Sequence, residues 1–288
     1  MHLLVFGRTG QVGRELCRRA PSDVSVTALD RSEADLGQPD RCAAAIAKTD
    51  ADVIINAAAY TAVDKAEGEP DRAFAINAAA PAAMAAAAAD RALPFFHLST
   101  DYVFDGTGHR PWSPDADPAP INVYGRTKRA GEQAVASGGG RHIILRTSWV
   151  FSAHGKNFVK TMLRLAADHD RLAIVGDQIG GPTAAADIAD ALFGLARHCV
   201  NHAAPGGVYH FAGTPYVSWA DFAREIFRQS GTTLDIDTIP TSAYPTPARR
   251  PLNSRLECSS LVHHFGIGQP DWRQSLTTVL AELRNSES

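Results

Sequence analysis

A tyrosine and a lysine lie four positions apart in this chain, at Tyr124 and Lys128. If this segment is helical, the two side chains share one face of the helix, one turn apart. A free phenol has a pKa near ~10, and a neighbouring ammonium favours the phenolate and lowers that pKa. A tyrosine tuned in this way can give a proton to a carbonyl oxygen or take one from an alcohol. The spacing is not sufficient alone, because exposed helices often carry it by chance.

A hydroxyl group is expected beside this pair. Residues 93–98 form an apolar run that predicts a buried strand, and Ser99 and Thr100 follow it directly. Open α/β sheets bind their ligands at the carboxyl ends of parallel strands. We therefore predict three catalytic residues, with Thr100 orienting a carbonyl group, Tyr124 acting as the acid and Lys128 tuning that acid.

A glycine-rich turn near the start of the chain predicts a dinucleotide site. Residues 2–6 are an apolar run, and Gly7, Gly10 and Gly13 follow it at the start of a helical pattern. Glycines let the backbone approach a pyrophosphate, and the helix N-terminus offers free N–H groups and a positive dipole. The alternative is a turn that only packs a helix against a strand.

The acidic residue expected of such a site ends the next strand. Residues 24–29 are strand-like, and Asp30 follows them, 23 positions after Gly7. A carboxylate at this place holds the ribose 2′-hydroxyl of the cofactor. Arg8 follows Gly7 and Arg31 follows Asp30, and either could pair with a 2′-phosphate instead. The sequence therefore leaves both NADH and NADPH open.

The composition is that of an ordinary soluble globule. The length of 288 residues fits one large α/β domain or a domain with a smaller lobe, and 45% of the residues are hydrophobic and 20% charged. A net charge of −3 argues against a broad surface for nucleic acid or membrane. The four cysteines form no C-x-x-C pair, so we predict no disulfide or zinc framework and expect a cytoplasmic protein.

Targeting and membrane segments are not expected. No basic segment precedes the first apolar run, so we predict no signal peptide. The alanine-rich run at residues 78–92 contains Pro81, Asp90 and Arg91 and is expected to be too polar to span a bilayer. We predict that residues 73–92 form one helix, because alanine is the best helix former. The 11 histidines form no metal-binding pattern, and we predict no metal ligand among them.

Strand-like and helical segments alternate along the chain. This alternation predicts an α/β fold with a doubly wound parallel sheet, Rossmann-like in its arrangement. We place the dinucleotide-binding domain at residues 1–150 plus roughly 183–206. A smaller C-terminal substrate-binding lobe is placed at residues 151–182 and 207–288.

Taken together, the motifs resemble the extended short-chain dehydrogenase/reductase family. They occur in the order that this family has: Gly7-x-x-Gly10-x-x-Gly13, Asp30, Asn56-Ala57-Ala58, Ser99-Thr100 and Tyr124-x-x-x-Lys128. Within that family the chain looks like the dTDP-4-dehydrorhamnose reductases. The segments that carry this narrower resemblance are residues 6–13, 60–67, 99–104, 146–150, 157–158, 181–183 and 245–251.

The resemblance implies a reaction and its participants. It implies reduction of the 4-keto group of dTDP-4-dehydro-L-rhamnose to dTDP-L-rhamnose with NADPH or NADH, in polysaccharide biosynthesis. The implied partner is a small-molecule nucleotide sugar, and the chain is expected to be a monomer or a homodimer. The same fold also carries nucleotide-sugar epimerases and dehydratases, and a regulatory subunit of methionine adenosyltransferase. Both stay open as alternatives.

Matching motifs imply a cofactor site and a substrate site. The cofactor residues so implied meet the pyrophosphate, the adenosine and the nicotinamide side; they are Gly7, Thr9, Gly10, Gln11, Val12, Gly13, Asp30, Arg31, Asp35, Leu36, Ala58, Ala59, Tyr60, Thr61, Ser99, Tyr124 and Lys128. The substrate residues proposed are Thr100, Asp101, Tyr102, Trp149, Asn157, Arg249 and Arg250.

Three of these assignments have plain structural alternatives. Arg249 and Arg250 lie on a proline-rich loop, where guanidinium groups would fit the oxygens of a diphosphate, but a solvated basic loop is the other interpretation. Trp149 is either a substrate contact or a core aromatic at a strand end. The small residues from Ala57 to Ala59 either pass beneath the nicotinamide ribose or only pack a helix.

Some members of the reductase group dimerise through a carboxylate-bound Mg²⁺. Glu15 and Glu282 match two of the positions that hold that ion. The third position is Ala186 in this chain, with Asp187 beside it, and this departs from the family pattern. We therefore assign no metal ligands.

Overall fold

The structure is a computed structural model and describes residues 1–202 and 205–286. In these residues the strands are β1 (His2–Phe6), β2 (Ser25–Leu29), β3 (Val53–Asn56), β4 (Phe95–Thr100), β5 (His142–Thr147), β6 (Val150–Phe151), β7 (Arg171–Val175), β8 (Ile179–Gly180), β9 (Thr183–Ala184), β10 (Gly207–His210), β11 (Val217–Ser218), β12 (Asp235–Ile239) and β13 (Asn253–Ser254).

The helices separate these strands along the chain. They are α1 (Gln11–Arg18), α2 (Pro39–Lys48), α3 (Val63–Ala66), α4 (Pro70–Phe74), α5 (Ala80–Asp90), α6 (Val123–Ser137), α7 (Phe158–Ala166), α8 (Ala185–Asn201), α9 (Trp219–Ser230), α10 (Ser259–Phe265) and α11 (Trp272–Ser286). Short 3₁₀ turns occur at Asp101–Val103 and Thr241–Ala243, and a π-helical segment at Ala75–Ala79 joins α4 to α5.

Six parallel strands form the central sheet, in the order β10-β5-β4-β3-β1-β2. The predicted doubly wound α/β fold is confirmed. The chain moves outward from β1 to β2, then crosses to β3 and continues in the other direction, so the strand order reverses between β1 and β3. At such a switch point the connecting segments separate and leave a crevice at the carboxyl ends of the strands. The catalytic and cofactor motifs all follow these ends.

The period-2 alternation of each strand builds a core on both faces of the sheet. Leu3 and Val5 of β1 pack with residues of α1 and α8, whereas Leu4 and Phe6 pack with residues of α2 and α5. β1 and β3 are nearly continuous apolar runs because helices cover both of their faces. The sheet is therefore rigidly held where it positions the site.

A third core lies in the second half of the chain. It is built mainly from α7, α9 and α11, and its fully buried members include Phe151, Phe222, Ile226 and Leu276. One segment departs from the division expected from the sequence, which gave all residues from 207 onward to the lobe. Gly207–His210 pairs in parallel with β5 and forms the edge strand of the central sheet. A four-residue edge strand carries too little apolar pattern to be distinguished from a strand of the lobe.

The alanine-rich region is longer and more apolar than expected. A continuous helical run covers Pro70–Asp90, where one helix over residues 73–92 was predicted. By length and composition it could cross a membrane, because an 18-residue stretch of it has a mean hydropathy of 1.2. The expectation that this region is too polar is therefore wrong by that criterion. However, 44% of that 18-residue stretch is buried within the fold, where the helix packs between α2 and α6. Burial of this kind is typical of a core helix.

Helix α6 is fastened to the sheet by a buried ion pair. Glu132 accepts two hydrogen bonds from Arg146 of β5, each of 2.8 Å, and both side chains are 1% exposed. Ser99 of β4 donates to the same carboxylate at 2.6 Å, and Arg129 adds a bond of 3.2 Å. The Arg146 guanidinium also lies 5.0 Å from the centre of the Phe104 ring. The pair thus joins α6, β4 and β5.

We expect Glu132→Gln to lower the free energy of unfolding by about 3–5 kcal/mol, because it leaves Arg146 charged and buried without a counter-ion. Asp235→Asn is the matched control, since Asp235 pairs with Arg171 at the surface and their side chains are 75% and 64% exposed. The control should change stability by about 0–1 kcal/mol. Urea unfolding measures both, and equal small losses would contradict a fastening role for the pair.

Candidate active site

The glycine-rich turn after β1 has the geometry of an anion site. Gly7 has a φ of +102°, a conformation that side chains rarely adopt, and its N–H donates to Leu29 O at 2.9 Å. A Cβ at Gly13 would clash with the Gly7 carbonyl oxygen, so the turn packs directly on α1. No side chain caps the start of α1 at Gly10, and the first turn contains no acidic residue. The N–H groups there can receive a pyrophosphate.

A cavity of about 300 Å³ lies at the switch point, beside this turn. Ten of the predicted cofactor residues line it: Gly7, Thr9, Asp30, Arg31, Asp35, Leu36, Ala58, Ala59, Tyr60 and Thr61. Four further residues complete the lining and were not predicted from the sequence: Ala34, Ala62, Arg72 and Ile76. The cavity brings the segments after β1, β2 and β3 together.

Asp30 stays ionised in this cavity. Its Oδ1 accepts from the backbone N–H of Ser32 at 2.8 Å and from the Ser32 hydroxyl at 2.6 Å, and its Oδ2 pairs with Arg8. These hydrogen bonds, those of Ser32 above all, lower the pKa of Asp30 to about 2. Arg31 pairs with Asp35 at 3.2 Å. Both arginines that could meet a 2′-phosphate therefore already have acidic partners.

Asn77, in the π-helical segment, holds the other wall of the cavity. Its Oδ1 accepts from the backbone N–H of Tyr60 at 2.8 Å, and its Nδ2 donates to Tyr60 O at 3.1 Å and to the Thr127 hydroxyl at 3.0 Å. One amide thus fixes the backbone of Tyr60 and ties it to α6. Pro81 gives no N–H to the Asn77 carbonyl, and α6 approaches this carbonyl closely at Gly131, where a Cβ would clash with it.

Thr100 and Tyr124 are brought together by the start of α6. Asn122 caps the helix by accepting from the Gly125 N–H at 2.7 Å. A Cβ at Gly125 would clash with the Tyr102 carbonyl oxygen, so the helix begins directly against the turn that follows Thr100. Thr100 donates to Asp101 Oδ1 at 3.1 Å and lies beside Tyr124, whose pKa its hydroxyl lowers, and the rings of Tyr102 and Tyr124 meet edge to face with their centres 5.7 Å apart.

The expected effect of Lys128 on Tyr124 is wrong for this arrangement. Burial raises the pKa of Tyr124 above its ordinary value, and the nearby Asp101 carboxylate adds to this, with only the Thr100 hydrogen bond opposing them. Lys128 points to β4 instead, where its Nζ donates to Leu98 O at 2.6 Å and lies 3.2 Å from His97 Nε2. Burial lowers the pKa of Lys128 to about 8, although Glu132 opposes this. Tyr124 therefore keeps its proton, as a proton donor must.

Two buried polar atoms near Thr100 have no hydrogen-bond partner among the described residues. They are Oδ2 of Asp101 and the hydroxyl of Thr147, and Thr147 pairs with Thr100 in the β4–β5 register. Burial raises the pKa of Asp101 to about 6, while the hydroxyls of Ser254 and Thr100 oppose this rise. Polar groups this deep normally have partners. Both atoms lie at the carboxyl ends of strands, where a polar ligand would supply the missing hydrogen-bond partners.

Several predicted ligand residues already have partners within the protein. Ser99 donates to Glu132 and not toward the cavity. Asn157 caps α7 and donates to Gln11 Oε1 at 2.9 Å, so its amide is occupied between α1 and α7. Arg250 forms a two-point ion pair with Asp64, with bonds of 2.6 and 2.7 Å. Internal partners of this kind cannot be read from the sequence, and the three ligand assignments stay predictions.

Arg249 differs from its neighbour. Its side chain is exposed, while its backbone carbonyl accepts from Asn122 at 2.8 Å. The loop that carries it is thus bound to the residue that caps α6. Of the two arginines, Arg249 is the one whose guanidinium faces solvent.

Trp149 packs as part of the lobe core. Its ring stacks on that of Trp219 with the ring centres 3.6 Å apart, and a Cβ at Gly180 would clash with the Trp149 indole at Cε2. Its φ of +51° is unusual for a residue with a side chain and is held by this packing. The core interpretation of Trp149 therefore accounts for its contacts.

Comparison with known proteins identifies the family. The family model described as RmlD substrate binding domain matches residues 1–285. The chain belongs to this family. A dTDP-4-dehydrorhamnose reductase of Sinorhizobium fredii is 46% identical over 289 residues, which cover 98% of each chain, and one of Escherichia coli (strain K12) is 42% identical over 293 residues, with the same coverage.

Solved structures of the family have the same fold. A dTDP-4-dehydrorhamnose reductase from Clostridium acetobutylicum superposes with a TM-score of 0.93 at 35% identity, covering 99% of this chain and 100% of that one. One from Bacillus anthracis, in complex with NADP, gives 0.92 at 32% identity, covering 98% and 99%. The resemblance drawn from the sequence motifs is confirmed by these matches.

The carboxylates expected near a Mg²⁺ site from the family resemblance have partners within the protein. Glu15, Glu282 and His154 come together, and His154 was not expected there. Arg18 already pairs with Glu15 at 2.7 Å and with Glu282 at 2.9 Å. Asp187 is turned to Ser275, whose hydroxyl donates to it at 2.6 Å. The Arg18 guanidinium therefore already balances the charge of the two glutamates.

The sequence interpretation missed residues that act through others. His97 and Asn56 contact Lys128 in a chain, Asn77 fixes Tyr60, and Arg72 lies 5.9 Å from the centre of the Tyr60 ring. Signals existed for two of them: His97 is a polar residue inside an apolar strand, and Asn56 belongs to the Asn56-Ala57-Ala58 motif.

We expect Gly13→Ala to weaken NADPH binding and to lower the free energy of unfolding by about 1–3 kcal/mol. The added methyl group would clash with the backbone of the Gly7 turn, and this outweighs the ~1 kcal/mol that alanine gains in a helix. Gly268→Ala is the control, because nothing lies within 4 Å of its Cβ position. Fluorescence titration with NADPH and urea unfolding measure the two effects. An alanine tolerated at both positions would refute the close approach.

Proposed function

We propose that this protein reduces the 4-keto group of dTDP-4-dehydro-L-rhamnose to give dTDP-L-rhamnose, with NADPH or NADH. The observation that carries the proposal is the meeting of Thr100 and Tyr124 at the carboxyl end of β4, with Lys128 on the same helix. Membership of the RmlD family supports this substrate, because its members from Sinorhizobium fredii and Escherichia coli are named for this reaction.

The cofactor supplies the hydride that reaches the carbonyl carbon, and the chain supplies the proton. Tyr124 is protonated at neutral pH, because the ordinary pKa of a phenol lies near ~10 and burial and Asp101 raise it further. It can therefore donate to the carbonyl oxygen as negative charge develops there. The hydroxyl of Thr100 lies beside it and orients that oxygen. A positioned acid of this kind is worth about 10²–10⁴ in rate.

The sugar is proposed to lie over the ends of β4 and β5. The unpartnered Oδ2 of Asp101 and the hydroxyl of Thr147 support this position, since a sugar hydroxyl can satisfy each of them. Arg249 is proposed to meet the nucleotide diphosphate, because its guanidinium is exposed on the loop that Asn122 holds. The pyrophosphate of the cofactor is proposed to meet the turn at Gly10, Gln11 and Val12.

We infer a division of labour between two parts of the chain. Residues 1–150, with roughly 183–206 and β10, bind the cofactor and present the groups that meet the sugar, and residues 151–182 with 211–288 complete the sugar-nucleotide site. The separate core built from α7, α9 and α11 supports this division. Four free cysteines support a reducing, cytoplasmic setting.

NADPH oxidation tests the proposal most directly, with the dTDP-linked keto sugar generated in the assay mixture. We expect one NADPH to be consumed for each sugar reduced. A cofactor that stays bound through purification and is not consumed would instead indicate an epimerase or dehydratase. Co-purification with a synthetase, together with no NADPH oxidation, would instead indicate a regulatory subunit of the methionine adenosyltransferase type.

We expect Tyr124→Phe to lower kcat by about 10²–10⁴ while leaving the affinity for NADPH nearly unchanged, because only the donated proton is removed. Tyr209→Phe is the control: its hydroxyl binds Pro205 O and His264 at 3.1 Å, away from Thr100. The control should turn over at the wild-type rate. Wild-type turnover by the Tyr124 variant would exclude this tyrosine as the acid.

A further inference from the structure

One polar side chain at the start of the cofactor helix reaches into the lobe. Gln11 is the first residue of α1. Its Oε1 accepts from Asn157 Nδ2 at 2.9 Å and lies 3.0 Å from the Ser152 hydroxyl. Its Nε2 lies 3.5 Å from Val150 O. All three partners belong to residues 150–157, the segment that leads into α7 of the lobe.

The orientation of the Gln11 amide is set by a helix cap. Asn157 Oδ1 accepts from the Lys160 N–H at 3.2 Å and caps α7, and this leaves the Asn157 nitrogen facing Gln11. A side-chain amide donates only at its nitrogen and accepts only at its oxygen. The Gln11 oxygen must therefore face Asn157, and its nitrogen faces the Val150 carbonyl.

The loop of residues 152–157 is built around this side chain. Ser152 is buried, and its hydroxyl also accepts from the His154 N–H at 3.0 Å. The loop turns at Gly155, which has a φ of +65° and whose Cβ position lies 3.5 Å from Gln11 Cγ. The chain thus passes on both sides of Gln11 before α7 begins.

Two further residues on the same face of α1 also contact the lobe. Glu15 and Arg18 follow Gln11 by four and seven positions, which places the three on one face of the helix. Glu15 is buried and lies 3.4 Å from His154 Nε2, and Arg18 pairs with Glu282 of α11 at 2.9 Å. The lobe is therefore attached to two successive turns of α1 by polar contacts.

The other side of this attachment is the proposed position of the cofactor pyrophosphate. No side chain caps the N–H groups at the start of α1, and Gly13 packs the helix directly on the Gly7 turn. Among the described residues, those that line the cofactor cavity all lie between Gly7 and Ile76, so the lobe takes no part in that lining. Helix α1 touches both the cavity and the lobe.

We propose that Gln11 is a positioning residue that couples cofactor binding to the position of the lobe, and thereby to the affinity for the sugar nucleotide. A pyrophosphate bound to the backbone at Gln11 fixes the direction of its side chain, and with it the loop that starts α7. Polar interfaces between parts of a chain allow relative motion. A lobe already held in place costs the second ligand less ordering. The inference rests on the proposed function, since the second ligand is the sugar nucleotide.

Isothermal titration calorimetry of the full-length protein with dTDP-L-rhamnose, with and without NADPH, measures this coupling. The two ligands cannot react with each other, because both are in the reduced state. We expect NADPH to raise the affinity of the wild-type protein for dTDP-L-rhamnose by about 5-fold or more, and dTDP-L-rhamnose to raise the affinity for NADPH by the same factor. Equal affinities with and without NADPH would overturn the proposal without any variant.

Two variants remove the contact from opposite sides. Gln11→Ala should bring the coupling factor close to unity, because a methyl group reaches none of the lobe atoms. Asn157→Ser should do the same, since serine can still cap α7 but lacks the nitrogen that donates to Gln11. The factor is a ratio within one variant, so a uniform loss of affinity for either ligand cancels.

Gln229→Ala is the matched control. The Gln229 amide also forms three hydrogen bonds, but all of them lie within the lobe. This control should keep the coupling factor of the wild-type protein. A wild-type factor in Gln11→Ala and Asn157→Ser, or an equal loss in the control, would overturn the role of Gln11.

Amide hydrogen exchange gives a readout that needs no sugar nucleotide. NADPH alone should slow exchange in α7 of the wild-type protein and of Gln229→Ala, but not in Gln11→Ala. Exchange in α7 that NADPH leaves unchanged in the wild-type protein would overturn the proposal. A protein that shows the expected protection of α7 but does not bind dTDP-L-rhamnose would contradict the proposed function alone, and would support the coupling of the cofactor to the lobe.

Discussion

The ion pair between Glu132 and Arg146 is the constraint on which the candidate site depends. Helix α6 carries Tyr124 and Lys128, and β4 and β5 end at the polar residues that those side chains must meet. Two charged hydrogen bonds between buried side chains, with the bond that Ser99 donates to Glu132, fix the helix on both strands in one register. A hydrophobic contact alone would hold the helix on the sheet but would tolerate sliding, since apolar packing is non-directional. Direction is what a proton donor needs.

Burial also determines the charge states within the site. It raises the pKa values of Tyr124 and Asp101 and lowers those of Lys128 and His97, so each of these groups is shifted toward its uncharged form. For a reductase this is a coherent set, because the acid must arrive protonated at a neutral carbonyl. Asp30 shows the opposite effect at the rim of the cofactor cavity, where hydrogen bonds from Ser32 keep its carboxylate charged. One site thus combines a neutral interior with a charged cofactor edge.

The sequence predicted the parts of this site that are set by local rules. Glycines at fixed spacing, an acid at the end of β2 and a hydroxyl at the end of β4 have backbone reasons for their positions, and the parallel sheet brings them together. The predicted action of Lys128 on Tyr124 failed because spacing along a helix does not say where a long side chain ends. The internal partners of Ser99, Asn157 and Arg250 were not predicted for a similar reason. These partners, Glu132, Gln11 and Asp64, lie far away in the sequence. The edge strand β10 was assigned to the lobe, because a strand of four residues carries no pattern that tells which sheet it joins.

The loop at residues 245–251 illustrates how basic residues can shape a site without binding its ligand. Arg250 forms a two-point ion pair with Asp64 of α3, and the same carboxylate accepts from the Ala248 N–H at 3.1 Å. Asn122, the cap of α6, binds the Arg249 carbonyl. The loop is therefore tied to the helix that carries the acid and to the segment beside the cofactor cavity. A guanidinium held in two-point contact loses little mobility when a ligand arrives, so the entropic cost of ordering this loop is met during folding. Only Arg249, free at the rim, must be ordered by the sugar nucleotide itself.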